Sequence, residues 1–305
     1  MFLPSKQGSI RLFTFAGISV YLHWLWFLVA VFEFQRGSER YSSLAWSGLE
    51  YLALFGIVLM HEFGHALACR SVGGQAEQIV LWPLGGVAYV NPPQRPGATL
   101  WSIAAGPLVN VGLLVVLTGL VMVDHALGWR ASSPDVHELL RAVWVINLVL
   151  LCFNLLPVYP LDGGQILRSL LWFWLGKAQS LAVAAVIGLV GVAVLVVGAV
   201  WSRSIWIGIL SVFIASNCWR GWKQAQAMLK LAKLPRHVQF ACPQCRAAPP
   251  RAPIWVCGGC RAAFDTFAAG GICPQCQQSS PLTGCVDCGS ASPFADWGGP
   301  PPLEV

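Results

Sequence analysis

The sequence predicts an α-helical, polytopic membrane protein that ends in a small cysteine-rich module. Hydrophobic residues make up 56% of the 305 positions and charged residues only 10%, whereas a soluble domain carries about 25% charge. The apolar residues recur in long runs, and eight of the 11 cysteines follow residue 240. A bilayer therefore replaces much of the core in the first part of the chain.

Six apolar segments are long enough, or nearly so, to cross about 30 Å of hydrocarbon. They lie at residues 13–32, 44–60, 100–123, 142–156, 181–201 and 205–218. An even number of spans puts both termini on one side, and that side collects most of the lysines and arginines. The other side holds Arg36, Arg40, Arg130, Arg141 and Arg203. The positive-inside rule predicts cytoplasmic termini, in the plasma or inner membrane of a prokaryote.

The second apolar segment ends in His61-Glu62-Phe63-Gly64-His65. On a helix, positions four apart lie one turn apart on one face, a spacing at which two imidazoles can bind one Zn²⁺. Glu62 lies beside them and can act as a general base toward water. A carboxylate inside a membrane span costs about 2.5–3.5 kcal/mol, which favours a functional role. The alternative is a pair of buried histidines satisfied by neighbouring groups.

A catalytic zinc needs a third protein ligand, and Asp162 is the best candidate. It ends the segment 154–162, in which Pro157 and Pro160 remove backbone donors and which a Gly-Gly pair follows. Such irregular backbone is tolerated at membrane depth where protein or a watery cavity satisfies it. The second and fourth spans both run inward, so the three ligands would meet near the cytoplasmic surface. A helix N-cap is the alternative role for Asp162, and the two roles are compatible.

Residues 73–93 connect the second and third segments and predict a β-hairpin. Strand-like pieces at 77–82 and 86–90 flank the turn-prone sequence Pro83-Leu-Gly-Gly. This hairpin would lie beside the HExxH end of the second span. An irregular connecting loop is the alternative.

Four motifs occur along the chain in the same order as in a known protein family. They are HEFGH near a helix end, LWPLGGVA at 81–88, AAGPLVN at 104–110, and N-x-x-P-x-x-x-x-D-G beginning at 154. Over residues 10–220 the chain therefore resembles the site-2 proteases, which are intramembrane zinc metalloproteases. The resemblance implies His61, His65 and Asp162 as zinc ligands, Glu62 as catalytic base, and Asn154 as a contact to the substrate backbone or oxyanion. Asn110 matches a less certain polar position. From the residues alone, both asparagines could instead be interhelical hydrogen-bond donors.

The eight late cysteines form four C-x-x-C pairs, a repetition that predicts structural zinc. Thiolate quartets bind Zn²⁺ tetrahedrally, and so small a segment cannot fold on its core alone. We expect a double zinc ribbon with sequential pairing, and an interleaved pairing stays open. Sequential pairing assigns Cys242, Cys245, Cys257 and Cys260 to ribbon 1 and Cys273, Cys276, Cys285 and Cys288 to ribbon 2. Disulfides are disfavoured in a reducing cytoplasm.

Composition divides the chain into four parts. We expect a transmembrane metalloprotease domain at 1–222, a basic amphipathic linker at 223–240, a cytoplasmic double ribbon at 241–290 and a disordered tail at 291–305. Two thiolate zinc centres would leave the ribbons acidic, which argues against nucleic acid and favours a cytoplasmic protein partner.

Together these features predict an intramembrane zinc endopeptidase with one catalytic and two structural zinc ions. By resemblance it would hydrolyse a peptide bond of a transmembrane substrate near the cytoplasmic face, in regulated intramembrane proteolysis. One alternative is a membrane scaffold that binds partners through its ribbons without proteolysis. Another is a zinc hydrolase of lipids or prenylated peptides. The intact Glu62 argues against the scaffold, since a scaffold need not keep it.

Overall fold

The computed structural model describes residues 8–37, 40–82 and 85–298. The chain forms two compact units, Met1–Lys223 and Gln224–Val305. Helices dominate the first unit, and the last of them runs across the boundary. They are α1 (Trp26–Gly37), α2 (Leu44–Ser71), α3 (Pro96–Leu127), α4 (Trp129–Ser132), α5 (Pro134–Asn154), α6 (Asp162–Ser202) and α7 (Ile205–Ala232).

Within the described ranges, four helices are long and apolar enough to cross a membrane: α2, α3, α5 and α6. The other two predicted spans are not among them: residues 13–32 do not form one helix, and residues 205–218 lie in a helix of lower apolarity. Residues 205–218 belong to α7, which falls short of the apolarity of the other four because Asn217 and Arg220 interrupt its apolar run. In α6, Gly176 has non-helical geometry with φ of 76°, so this helix consists of two stretches.

Residues 13–32 do not form one helix. They begin in strand β1 (Ser9–Phe15), turn at Gly17 with φ of 73°, and continue through β2 (Ile18–His23) into α1. Positive φ favours glycine and breaks a helix at this point. The 12 residues of α1 extend only about 18 Å at 1.5 Å per residue.

The predicted hairpin is confirmed as β3 (Gln75–Trp82) and β4 (Gly85–Asn91), paired antiparallel from Trp82↔Gly85 to Gln75↔Asn91. Part of its predicted turn, residues 83–84, lies outside the described residues. The hairpin belongs to a larger sheet of order β1-β2-β3-β4, in which β2 and β3 are parallel. Strand β4 is thus an edge strand.

The sheet packs against the second half of α2. Ile18, Val20, Ile79 and Leu81 are fully buried, in one cluster with residues of α2 such as Cys69. Burial of alternate strand residues on one face fixes the register of the sheet. This packing holds β4 beside the HExxH sequence.

The second unit is built from two short hairpins and an aromatic core. The hairpins are β5 (Trp255–Val256) with β6 (Ala263–Phe264) and β7 (Thr283–Gly284) with β8 (Ala291–Ser292). The Phe267 ring lies 4.8 Å from that of Trp297 and 5.0 Å from that of Phe240. The prediction of a disordered tail from residue 291 is therefore wrong as far as residue 298, because Trp297 is buried in this core. Residues 299–305 lie outside the described residues.

Candidate active site

The two histidines of the HExxH sequence face the same point from successive turns of α2. Their Nε2 atoms are 3.1 Å apart, and both side chains are buried. Gly64, between them, lets α3 approach closely: a Cβ at this position would lie 2.8 Å from the carbonyl oxygen of Ala105. Both imidazoles of α2 therefore lie where α2 packs against α3.

Asp162 completes the cluster as the first residue of α6. Its Oδ2 atom lies 3.0 Å from His61 Nε2 and 3.4 Å from His65 Nε2. The N-cap of α6 is Leu161, so the alternative role of Asp162 as N-cap is wrong. The following glycines have no room for a side chain, since a Cβ on either would overlap backbone atoms of residues 155–159. The Gly-Gly pair therefore lets the preceding turn fold back onto the start of α6.

Each histidine is held by a hydrogen bond from Nδ1, the ring nitrogen that does not face the other ligands. His61 Nδ1 lies 2.6 Å from Asn110 Oδ1, and His65 Nδ1 lies 2.9 Å from the carbonyl oxygen of Ser102. Both acceptors require an N–H at Nδ1, which leaves Nε2 of each neutral ring with a lone pair. Asn110 is itself fixed by Asn147, which accepts from its Nδ2 at 2.8 Å and donates to its backbone oxygen at 2.9 Å.

Glu62 lies next to the histidines and contacts the edge strand. Its Oε2 accepts a hydrogen bond of 2.8 Å from the backbone N–H of Ala88 in β4. A Cβ on Gly86 would overlap the Glu62 side chain, so glycine at this position permits the close approach. The carboxylate is buried, with one oxygen held by the strand.

These residues fit a divalent metal such as zinc. The ligand atoms of His61, His65 and Asp162 all lie within 4.8 Å of one another. Two imidazole lone pairs and a carboxylate oxygen converge, and among the described residues Asp162 Oδ2 has no hydrogen-bond donor. Such a group of acceptors is unfavourable unless a cation lies between them. Two histidines and one carboxylate, with further positions open, form the donor set of a catalytic zinc site.

Comparison with known proteins agrees with this geometry. The family described as Peptidase family M50 matches residues 50–124 and 115–198. A zinc metalloprotease of Methanocaldococcus jannaschii is 33% identical over 208 residues, which is 68% of this chain and 58% of the relative. Stage IV sporulation protein FB of Bacillus subtilis is 32% identical over 121 residues, 38% of each chain. The chain thus spans about half the length of these curated relatives.

A solved structure shows the same fold. The site-2 protease from Methanocaldococcus jannaschii is 29% identical, with a TM-score of 0.51, and the match covers 70% of this chain and 95% of that one. The chain belongs to peptidase family M50, the site-2 proteases. The resemblance inferred from the four motifs is confirmed. His61, His65 and Asp162 all lie inside the matched residues of this M50 chain.

Asn154 is the last residue of α5 in this M50 protein. Among the described residues its side-chain amide makes no hydrogen bond, and it is half-buried. The structure does not bring it into the ring of ligands. Its role as a contact to substrate remains a prediction. The sequence did not predict the roles of Ser102 and Asn147. Ser102 acts through its backbone oxygen and Asn147 through Asn110, and neither kind of contact leaves a recognisable sequence motif.

The eight cysteines after residue 240, which lie outside the residues matched to the family, form two quartets that differ from the sequential pairing. One consists of Cys242, Cys245, Cys285 and Cys288, and the other of Cys257, Cys260, Cys273 and Cys276. The predicted ribbons 1 and 2 are therefore wrong, and the pairing is nested. The first and last cysteine pairs come together where the residues flanking them meet, since the Ala241 N–H donates to the Trp297 carbonyl oxygen at 3.0 Å.

The sulfur spacing of both quartets suits zinc. Sulfur atoms facing each other are 3.5 Å apart for Cys257 and Cys276 and 3.8 Å apart for Cys242 and Cys288. A tetrahedron with Zn–S bonds of 2.3 Å has edges of about 3.8 Å. Backbone N–H groups of Cys260 and Gly259 lower the pKa of Cys257 to about 6, which favours the thiolate that zinc binds.

Replacing Gly106 by alanine should empty the membrane metal site. Gly106 lies on α3 against the ligands, and an added Cβ would overlap His65 Nε2 and lie 2.8 Å from His61 Nε2. We expect a loss of zinc affinity of at least about 100-fold, measured as zinc per chain against increasing chelator. Gly112→Ala on the same helix is the control, because nothing lies within 4 Å of its Cβ position. Equal zinc binding by the two variants would contradict the geometry.

Asn110→Ala should weaken zinc binding without emptying the site. The change removes the acceptor that holds His61 Nδ1, and loss of such an outer partner typically costs 10–100-fold in metal affinity. Thr118→Ala, on the same helix, removes only a bond to Trp144 and should leave zinc binding unchanged. Chelator competition on both variants measures the difference. Wild-type affinity in Asn110→Ala would show that His61 needs no such support.

Proposed function

We propose that this chain is an intramembrane zinc endopeptidase that hydrolyses a peptide bond of a transmembrane substrate near the cytoplasmic face. The observation that carries the proposal is the convergence of His61, His65 and Asp162 beside Glu62, inside helices apolar enough to span a membrane. Membership of the M50 family supports the peptidase chemistry.

The mechanism follows from the positions of the side chains. Zinc, when bound, supplies Lewis-acid polarisation of the scissile carbonyl and of water. Glu62 takes a proton from the attacking water at its free oxygen, while the Ala88 N–H holds the other oxygen. As the water oxygen bonds to the carbonyl carbon and the C–N bond breaks, Glu62 returns the proton to the leaving amine. During the reaction, Asn110 and Ser102 keep the two imidazoles oriented with Nε2 toward the metal position.

The edge strand β4 is suited to hold an unwound substrate. A transmembrane helix satisfies its own backbone, so a peptide bond becomes accessible only after local unwinding. The Ala88 N–H points to Glu62 rather than to β3, so the edge of β4 away from β3 faces Glu62. Alternation along a strand puts the N–H of Gly86 on that same edge. An extended substrate segment added there would lie beside Glu62.

The cysteine quartets support two structural zinc ions, for three ions per chain. We propose that the second unit lies in the cytoplasm and binds a protein partner there. The five lysines and arginines of residues 220–236 support this side, because such residues collect at the cytoplasmic face of a membrane. The bilayer itself is the other partner.

Cleavage of a panel of single-span peptides by the purified protein tests the proposal. Mass spectrometry of the fragments would locate each cut, and His65→Ala provides the inactive control. Cuts inside the apolar stretch, made by wild type only, are the expected result. Cuts confined to polar flanks would contradict intramembrane proteolysis. Absence of cutting in all peptides, with the metal present, would favour the scaffold.

A further inference from the structure

The turn that precedes Asp162, residues 155–161, packs between two helices. Val158, Tyr159 and Leu161 share a buried cluster with α6 and α7. From α6 the cluster includes Leu189, Val192 and Leu195, and from α7 it includes Leu210, Phe213, Ile214 and Cys218. A metal ligand thus follows a segment whose position depends on α7, a helix that supplies no ligand itself.

Three glycines make this contact close. A Cβ on Gly188 of α6 would lie 2.5 Å from Cys218 Sγ and 3.1 Å from the Tyr159 nitrogen. A Cβ on Gly191 would lie 2.6 Å from Val158 Cγ2, and one on Gly221 of α7 would lie 3.1 Å from the Tyr159 ring. Glycine inside a helix costs about 0.5–1 kcal/mol relative to alanine. Each of these glycines occupies a site where no larger residue fits without movement.

Hydrogen bonds connect α7 to the metal ligand through the same turn. Cys218 Sγ donates to the Tyr159 carbonyl oxygen at 2.8 Å. Within the turn, the Leu161 N–H donates to the Val158 oxygen at 2.9 Å, and Gln165 Nε2 donates to the Pro160 oxygen at 3.0 Å. A displacement of Tyr159 therefore moves Leu161 and Asp162 with it.

We propose that Tyr159 is a positioning residue for Asp162, and that α7 holds it in place through Cys218 and Gly221. The ring of Tyr159 fills the space over Gly221, its carbonyl accepts from Cys218, and its backbone nitrogen lies against Gly188. The inference rests on the proposed zinc site. It does not depend on which peptide is cleaved.

Paired glycine substitutions test the proposal by zinc affinity. Gly188→Ala should weaken the membrane site about 10–100-fold, the range for a lost supporting contact. Gly198→Ala, on the same helix with nothing within 4 Å, should bind zinc as wild type does. The measurement is zinc per chain against increasing chelator. Asp162→Ala is the reference for a protein that lacks the zinc ion of the membrane site. Equal affinity in both glycine variants would overturn the proposal.

A second pair keeps the test decisive if Gly188→Ala does not fold. Cys218→Ala removes the bond to Tyr159 and should weaken zinc binding several-fold, whereas Cys152→Ala, at an exposed cysteine, should not. Removing Sγ also relieves the closest contact of an alanine at 188, so Gly188→Ala with Cys218→Ala should bind zinc more tightly than Gly188→Ala alone. Wild-type affinity in Cys218→Ala, or no recovery in the double variant, would overturn the role of α7.

The readouts also separate this inference from the proposed function. If the zinc affinities follow the expected order but no variant, including wild type, cuts any peptide, the positioning role stands and the peptidase proposal fails. If wild type cuts peptides while the Cys218 and Cys152 variants bind zinc equally, the peptidase proposal stands and the positioning role fails.

Discussion

Glu62→Gln is expected to lower kcat by about 10²–10⁴-fold, the usual contribution of a general base. Glutamine keeps the shape of the side chain and can still accept from the Ala88 N–H, but it cannot take a proton from water. Glu62 is not one of the three metal-facing residues, so zinc content should remain that of wild type. Peptide cleavage under single-turnover conditions and zinc per chain are the two measurements.

Glu77→Gln is the matched control, because this exposed glutamate lies on β3, away from the ligands. It should cleave as wild type does. Retained cleavage in Glu62→Gln would contradict the assignment of the base. Loss of zinc together with loss of cleavage would instead give Glu62 a role in holding the metal site.

Two double substitutions are expected to separate the nested from the sequential cysteine pairing by whole zinc ions. Under nested pairing, Cys242 and Cys285 belong to one quartet, whereas Cys242 and Cys257 belong to different ones. Replacing the first pair by serine should remove one zinc, and replacing the second pair should remove two. Structural zinc contributes about 10–16 kcal/mol to folding, so the second variant should also lose most of the structure of its second unit.

Sequential pairing predicts the opposite order, with two ions lost in the first variant and one in the second. Zinc per chain by mass spectrometry, beside circular dichroism of the full protein, gives a direct answer. Cys69→Ser with Cys152→Ser replaces two cysteines outside the quartets and should lose none.

Local patterns in the sequence were sufficient to predict the three residues at the centre of the site. The i, i+4 spacing of His61 and His65 requires only helical geometry. Asp162 could be selected because its neighbours break a helix where a carboxylate would be costly. The hairpin was predictable from strand-like pieces around a turn, and the structure adds β1 and β2 to it.

The errors arose where long-range contacts decide the structure. Residues 13–32 are apolar enough for a span, but their first part pairs into the sheet as β1 and β2 and only residues 26–32 belong to α1. Apolarity alone does not distinguish these outcomes. The nested cysteine pairing depends on the long-range contact between Ala241 and Trp297, which no local spacing encodes. Trp297 likewise lies in a polar, glycine-rich sequence that predicts disorder, whereas its burial depends on packing against the distant Phe267.

The most direct measurement of the central claim is zinc per chain in wild type and Asp162→Ala, each tested beside cleavage of a single-span peptide in detergent. The three clusters predict three ions in wild type and two in the variant, with cleavage by wild type alone. Two ions in both proteins would show that His61, His65 and Asp162 hold no metal, and the account of this site as a zinc peptidase centre would be wrong.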